Sequence, residues 1–439
     1  MSIEDMAVKF RDVLTTTERM PPAELLTYQR GLLIKLARHA AAHVPFYAQR
    51  LAPILSEGEG SLERWTEVPL LTRTHIQDSV EKLSARMLPP YCGAVHEGST
   101  SGSTGRPIRY RHEDLHDVAS AAQTDRMFGW WGLDGTKSLA TFMSTYDESA
   151  RAGAKKRWGW RIGVPDGIRY INELIVDIDK QIDWLKAVGP NYLFARGGAH
   201  ITELALQAGK RGERLRFDRI ISTGSAVGAQ ARRLARRVFR SEIADFYGAS
   251  ETGLIACQCR DCRMYHVCDE TILVEVLRED GSCCQEGEAG RVVLTPLYGY
   301  AMPLIRYEIG DYATRGPQQS SCGRGLSSLA AIVGRYRNVF VFKDGRVIHP
   351  YANASRLGAY LSYRQIQLVQ TDYDQVEIRY VPDDVSRAPD VAEIENLMRQ
   401  MLDPGISVKL VSLDRFEPSP GGKFEETVSL VAGAGAAIQ

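Results

Sequence analysis

Residues 219–253 read RIISTGSAVGAQARRLARRVFRSEIADFYGASETG, and this stretch decides the fold. A short apolar run at 219–222 predicts a strand, 230–239 a helix, and 243–247 a second strand. Strand, helix and strand in that order form a βα unit whose strands lie parallel. The same alternation precedes it, with a helix over 177–188, a strand over 192–195 and a helix over 200–209. After the second strand, the tight turn at Gly248 exposes Ser250 and Glu251 at the strand's carboxyl end, where open α/β sheets place their ligands. A carboxylate there can hold Mg²⁺ beside a nucleotide, and a ring such as Tyr247 can cover a base or an aromatic acid. Taken alone, the same residues also suit an ordinary surface turn.

Working toward the N-terminus, helical patterns run over 113–130, 74–87 and 22–43, the last following Pro21 and Pro22. Between them lies Gly98-Ser99-Thr100-Ser101-Gly102-Ser103-Thr104-Gly105-Arg106-Pro107. Glycines let the backbone approach an anion, and the hydroxyls add donors, as a loop gripping a polyphosphate needs. It is not the loop of the common nucleotide hydrolases, which needs Gly-Lys followed by Ser or Thr. A flexible Ser/Gly linker has the same composition.

Toward the C-terminus the texture changes after Cys268. Strands are expected at 272–277, 291–296, 365–370, 376–381 and 407–411, a hairpin around Lys343-Asp344-Gly345, and a helix over 391–401. The expected fold class is α/β. A large N-terminal domain with βα units and mixed sheets spans 1–334, and a small, mobile α+β domain spans 335–439.

Composition narrows the function classes. Lys plus Arg and Asp plus Glu balance at 54 each, so no global field attracts nucleic acid or an anionic membrane. No apolar run approaches a membrane span. Glu4, Asp5, Lys9 and Arg11 interrupt any signal-like core at the start, so a cytoplasmic enzyme is expected. The eight cysteines are then reduced, and their spacing speaks for metal rather than disulfides. Cys257, Cys259, Cys262, His266 and Cys268 fall within twelve residues, and Cys-x-Cys-x2-Cys with a nearby His suits tetrahedral Zn²⁺.

Three further motifs carry chemistry. Asp311, in Ile305-Arg306-Tyr307-Glu308-Ile309-Gly310-Asp311, follows a strand, and its carboxylate can accept from two ribose hydroxyls. Val333-Gly334-Arg335-Tyr336-Arg337-Asn338 marks the junction with the C-terminal module. Pro418-Ser419-Pro420-Gly421-Gly422-Lys423 presents one lysine on a loop.

In order and spacing these five motifs resemble the phenylacetate–coenzyme A ligase family of the adenylate-forming superfamily, over roughly residues 30 to 430. The resemblance extends to His43-Val44-Pro45-Phe46-Tyr47 and Pro69-Leu70-Leu71-Thr72-Arg73. It implies an ATP-dependent acid–thiol ligase that forms an acyl-adenylate, releases pyrophosphate and passes the acyl group to coenzyme A. A carrier-protein thiol or an amine is the alternative acceptor, and a homodimer stays open. By resemblance, Ser99, Thr100, Ser101, Gly102, Ser103, Thr104 and Gly105 form the phosphate loop. Gly224 and Ser225 would line the adenine, Tyr247 would flank the adenine and the acyl pocket, and Gly248 and Ser250 would join the ATP site; Glu251 would hold Mg²⁺, and Asp311 would bind the ribose with Arg335 nearby. Lys423 would contact the acyl carboxylate and α-phosphate, and Arg337 stands at the hinge.

For the acid, Phe142, Tyr146, Phe246 and Tyr247 suit an aromatic group, with Ala249 beside them and Arg196 facing a polar substituent or solvent. The resemblance also implies a structural zinc, held in relatives with help from a later Cys-x-Cys-Gly-Arg. Here that element reads Ser320-Ser321-Cys322-Gly323-Arg324. The expected zinc ligands are therefore Cys259, Cys262, His266 and Cys322, with Cys257 in reserve. Two other departures stand at Arg337, where Asp or Lys is common, and after Lys423, where Phe424-Glu425-Glu426 replaces a frequent basic residue.

Overall fold

The computed structural model describes residues 3–55, 61–100, 108–143, 155–173, 177–225, 227–335, 340–344, 346–348, 355–383, 386–416 and 427–431. Its strands in chain order begin with a hairpin, β1 (Val95–Ser99) and β2 (Arg109–Glu113). Twelve follow: β3 (Leu139–Met143), β4 (Lys155–Trp158), β5 (Ile168–Glu173), β6 (Tyr192–Ala195), β7 (Arg219–Ser222), β8 (Ile243–Ala249), β9 (Gly253–Gln258), β10 (Tyr265–Val267), β11 (Ile272–Leu277), β12 (Ala289–Pro296), β13 (Tyr307–Arg315) and β14 (Ser328–Arg335). These twelve form one sheet in the order β11-β12-β13-β14-β10-β9-β8-β7-β6-β3-β5-β4.

The sheet is mixed. From β5 through β3, β6 and β7 to β8 the pairing is parallel. It turns antiparallel at β8–β9 and β9–β10. The parallel half needs helical crossovers, and the sequence supplies them with caps. Helix Ile178–Val188 starts where the Asp177 side chain accepts from the Asp179 N–H, and it ends at Gly189 in the left-handed region. Its Ile182 and Leu185 pack with Ile201, Leu204 and Ala208 of helix Gly197–Lys210 over Ala140, Leu193 and Ile220 of the sheet. Helix Asp114–Trp130 contributes Met127 and Phe128 to a second core with Phe246, Ile255 and Val267.

The chain divides into two compact units. One comprises 1–227, 231–309 and 313–332, and the other 228–230, 310–312 and 333–439. In the second unit β15 (Phe340–Val341) pairs with β16 (Val347–Ile348). β17 (Tyr363–Asp372), β18 (Gln375–Pro382), β19 (Ser407–Ser412) and β20 (Thr427–Ser429) form a sheet in the order β19-β18-β17-β20. Helix Val391–Met401, capped by Asp390, buries Ile394, Leu397 and Met398 with Leu368, Ile378 and Ile406. The fold class is thus mixed α/β with a large sheet and a smaller C-terminal one, as expected.

Two segments differ from the sequence reading. The helix expected over 74–87 is two short ones, Arg73–Asp78 and Val80–Leu83. Ser79 breaks it with extended backbone, and its hydroxyl accepts from the Lys82 N–H to start the second helix. The segment 230–239 begins as helix Ala229–Leu234 and widens to a π turn over Ala235–Phe239.

Candidate active site and metal centre

In the parallel half, Ala195, Ser222 and Asp245 lie side by side on β6, β7 and β8, so the loops that follow share the carboxyl edge. From β6 come Arg196 and Gly197, from β7 Gly224 and Ser225, and from β8 the Tyr247–Glu251 motif. Gly197 must be glycine, because a Cβ there would lie 1.8 Å from the Ser225 hydroxyl. Arg196 is half-buried at the start of its helix, and burial holds its guanidinium below the ordinary value. Its main-chain N–H donates to His200 Nδ1 at 3.2 Å.

The β8–β9 connection is the centre of the site. Ser250 is exposed, whereas Glu251 is 6% exposed. The chain reverses through Gly253 at φ +74° and a register shift at Tyr247/Gly248. A Cβ on Gly248 would meet the Gly253 carbonyl oxygen at 2.8 Å. Gly248→Ala is accordingly expected to cost about 1–3 kcal/mol in denaturant unfolding and to lower adenylation together with it.

The Tyr307 hydroxyl donates to Glu251 Oε1 at 3.3 Å. Among the described residues Oε2 has no hydrogen-bond partner, so the carboxylate has one oxygen held and one uncommitted, which fits a Mg²⁺ ligand. Tyr307 opens β13, and Asp311, half-buried, follows four residues on in the same strand, just past Gly310 at φ +83°.

Ser99 ends β1 opposite Arg109 of β2, and Thr100 follows it. The Thr100 N–H donates to the Ile108 carbonyl at 2.9 Å, and the Ile108 N–H donates to Thr100 Oγ1 at 3.0 Å. The glycine-rich loop therefore joins two antiparallel strands. Ser101, Gly102, Ser103, Thr104, Gly105, Tyr146, Arg337 and Lys423 lie outside the described residues, and Arg335 ends β14.

Two residues expected in the acid pocket are core residues instead. Phe142 is 1% exposed and packs edge-on against Trp184 and His200, with ring centroids 5.1 Å from each. Phe246 stacks on Phe128 at 5.7 Å. Tyr247 is buried and Ala249 half-buried, both at the carboxyl end of β8.

The cysteine-rich stretch folds as a knuckle between β9 and β10. The Cys259 N–H donates to Met264 O at 2.7 Å, and Arg263 adopts φ +65° to close the turn. Cys259, Cys262 and His266 are joined by Cys322, from the β13–β14 connection, and the four ligand atoms lie within 4.8 Å of one another. His266 Nε2 faces Cys322 Sγ at 3.1 Å and Cys262 Sγ at 3.4 Å. Burial, then Arg324, lowers His266 to about 4, so the imidazole is neutral, as a ligand must be. Three thiols and one neutral imidazole are the donor set that tetrahedral Zn²⁺ takes.

Around this cluster, Ser320 Oγ lies 3.2 Å from Cys322 Sγ. Arg324 donates to Cys259 Sγ at 3.4 Å, lies over Trp130 and pairs with Glu18. Cys257 and Cys268 are fully buried in the main core, outside the cluster, so the reserve ligand is not brought to it.

No family model matches the chain. The chain is 22% identical over 346 residues to the phenylacetate–coenzyme A ligase of Thermus thermophilus, covering 75% of this chain and 74% of that protein, which bears out the resemblance read from the motifs. Among solved structures it is similar to a 2-hydroxyisobutyryl-CoA ligase in its postadenylation state with an acyl-adenylate, with a TM-score of 0.73, 16% identity and coverage of 94% and 91%. It is also similar to an amide bond synthetase from Marinactinospora thermotolerans, with a TM-score of 0.53, 14% identity and coverage of 74% and 66%. Among the described residues no helix is long and apolar enough to cross a membrane.

Proposed function

We propose that this chain is an ATP-dependent, AMP-forming carboxylic acid ligase with coenzyme A as acceptor. The observation that carries the reading is Glu251, a buried carboxylate at the sheet's carboxyl edge, steadied by a tyrosine on the strand that bears Asp311.

In the first half-reaction a carboxylate oxygen of the acid bonds to the α-phosphorus of ATP, and the bond to the pyrophosphate oxygen breaks. In the second, the thiol loses its proton and its sulfur bonds to the acyl carbon as the bond to AMP breaks. The first step brings anion to anion. Mg²⁺ held by Glu251 would offset phosphate charge, and the Lys423 ammonium would sit between the acyl carboxylate and the α-phosphate. The loop 99–105 grips the phosphates and Asp311 the ribose, with Arg335 beside it. Gly224, Ser225, Tyr247, Gly248 and Ser250 surround the adenine. Residues 335–439 serve as a lid turning at Arg337.

We also infer that Cys259, Cys262, His266 and Cys322 hold a structural zinc, which would tie the β9–β10 knuckle to the β13–β14 connection.

The acid is read as aromatic from the Tyr247 ring beside Ala249, with Arg196 at the neighbouring loop to meet a polar substituent. A panel of aryl, arylacetic and short hydroxy acids in ATP–pyrophosphate exchange tests this. An aryl acid is expected to give the fastest Mg²⁺-dependent exchange, and exchange with small aliphatic acids alone would remove the aromatic assignment. Loaded enzyme is then offered coenzyme A, hydroxylamine and amines separately. Coenzyme A is expected to discharge the adenylate. Discharge by an amine alone would favour the amide-forming alternative, for which the similarity to an amide bond synthetase is the supporting observation.

A further inference from the structure

The Glu251 turn is gripped from the glycine-rich hairpin by a residue that no motif includes. His112, on β2, donates from Nε2 to the Glu251 main-chain carbonyl at 3.1 Å, 139 residues away in sequence. Two rings pack on it. Tyr110 lies 4.7 Å away at a tilt, and His116, on the first turn of helix Asp114–Trp130, stacks on it at 3.8 Å.

A carbonyl oxygen only accepts, so this bond places a proton on His112 Nε2. His112, His116 and Asp117 also form a compact cluster of ligand-type atoms. Stacked rings carry their lone pairs side by side rather than toward one point, so this arrangement suits positioning and not chelation. His116 reaches the far side of the same turn, where its Nε2 would lie 3.4 Å from a Cβ on Gly253. The Thr252 hydroxyl gives the turn no such hold, being buried without a hydrogen-bond partner among the described residues.

We propose that His112 is a positioning residue for the Glu251 carboxylate, coupling the phosphate-loop hairpin to the metal-holding turn. The inference rests on the reading of Glu251 as the Mg²⁺ ligand. Fixing the carbonyl of residue 251 fixes the backbone from which its carboxylate projects, as an outer partner fixes a metal ligand. The Gln amide N–H extends to the place of Nε2, whereas that of Asn stops short. His112→Asn is expected to raise the Mg²⁺ concentration for half-maximal pyrophosphate exchange on the order of tenfold. It should weaken Mn²⁺ binding to the ATP-bound protein, read by electron paramagnetic resonance, by a similar factor. His112→Gln should recover most of both. Glu251→Gln serves as the reference. If it abolishes Mn²⁺ binding while His112→Asn and His112→Gln both bind like the parent, or both lose binding equally, the positioning role is overturned and the Glu251 reading stands. If Glu251→Gln binds Mn²⁺ normally, the Glu251 reading falls and takes the proposal with it.

Discussion

Lys423→Ala is expected to slow acyl-adenylate formation by roughly 10²–10³-fold while leaving thiolysis of preformed acyl-adenylate within a few-fold of the parent. The two half-reactions place different demands on charge. In adenylation, two anionic oxygens converge on one phosphorus, and a positioned ammonium lowers the repulsion where negative charge builds up. In thiolysis the acyl carbon is already activated as a mixed anhydride, and AMP leaves with no anion approaching the phosphorus. A lysine on a loop of a hinged module can serve the first step and be withdrawn for the second. The measurements are single-turnover adenylate formation and, separately, coenzyme A consumption from synthetic acyl-adenylate. Equal losses in both would show that Lys423 serves a binding role common to the two steps, and the hinged two-step reading at Arg337 would fall.

The parts of the fold legible in the sequence were those encoded locally. Asp177 and Gly189 bracket a helix because a side-chain acceptor and a left-handed residue are needed at those two ends. The strand residues 192–195 and 219–222 stand out as short apolar runs because a parallel strand is buried on both faces. Ser79 illustrates the limit. Serine is tolerated inside helices and favoured at their starts, and only the packed chain selects the second role.

The same holds at the site. Cys259, Cys262 and His266 were legible from spacing, since a knuckle needs only a few residues to turn on itself. Phe142 suits an acid pocket by residue type alone, and residue type does not reveal which face of a sheet a ring occupies. The helices carrying Trp184 and His200 decide that. His112 left no signal at all, because its bond to Glu251 depends on how β2 meets the β8–β9 turn. The buried pair of Arg126 with Glu270, at 2.6 Å, is equally silent in sequence for the same long-range reason.

Cys259→Ser and His266→Ala are each expected to lose the zinc and to destabilise the protein by more than about 4 kcal/mol, the range in which loss of a metal ranks among single-site changes. Metal binding is folding energy wherever the site forms only in the folded chain, and these ligands come from two connections 56 residues apart. Removing the ion leaves three close thiols whose charges are no longer held. Burial then pushes Cys262 up to about 12. At Cys322, hydrogen bonds from Ser320 and Arg324 outweigh burial and bring the thiol down to about 7. Because Cys259 directly follows β9, the strand that returns from Glu251, loosening the knuckle should raise hydrogen exchange at residues 250–258 before the parallel half of the sheet responds. Cys257→Ser, a change in the core outside the cluster, should lower stability but keep one zinc per chain. Zinc content by elemental analysis separates the two outcomes. Protein purified without zinc yet of undiminished stability would reduce the cluster to buried thiols, and loss of zinc in Cys257→Ser would move the fourth ligand back to the core.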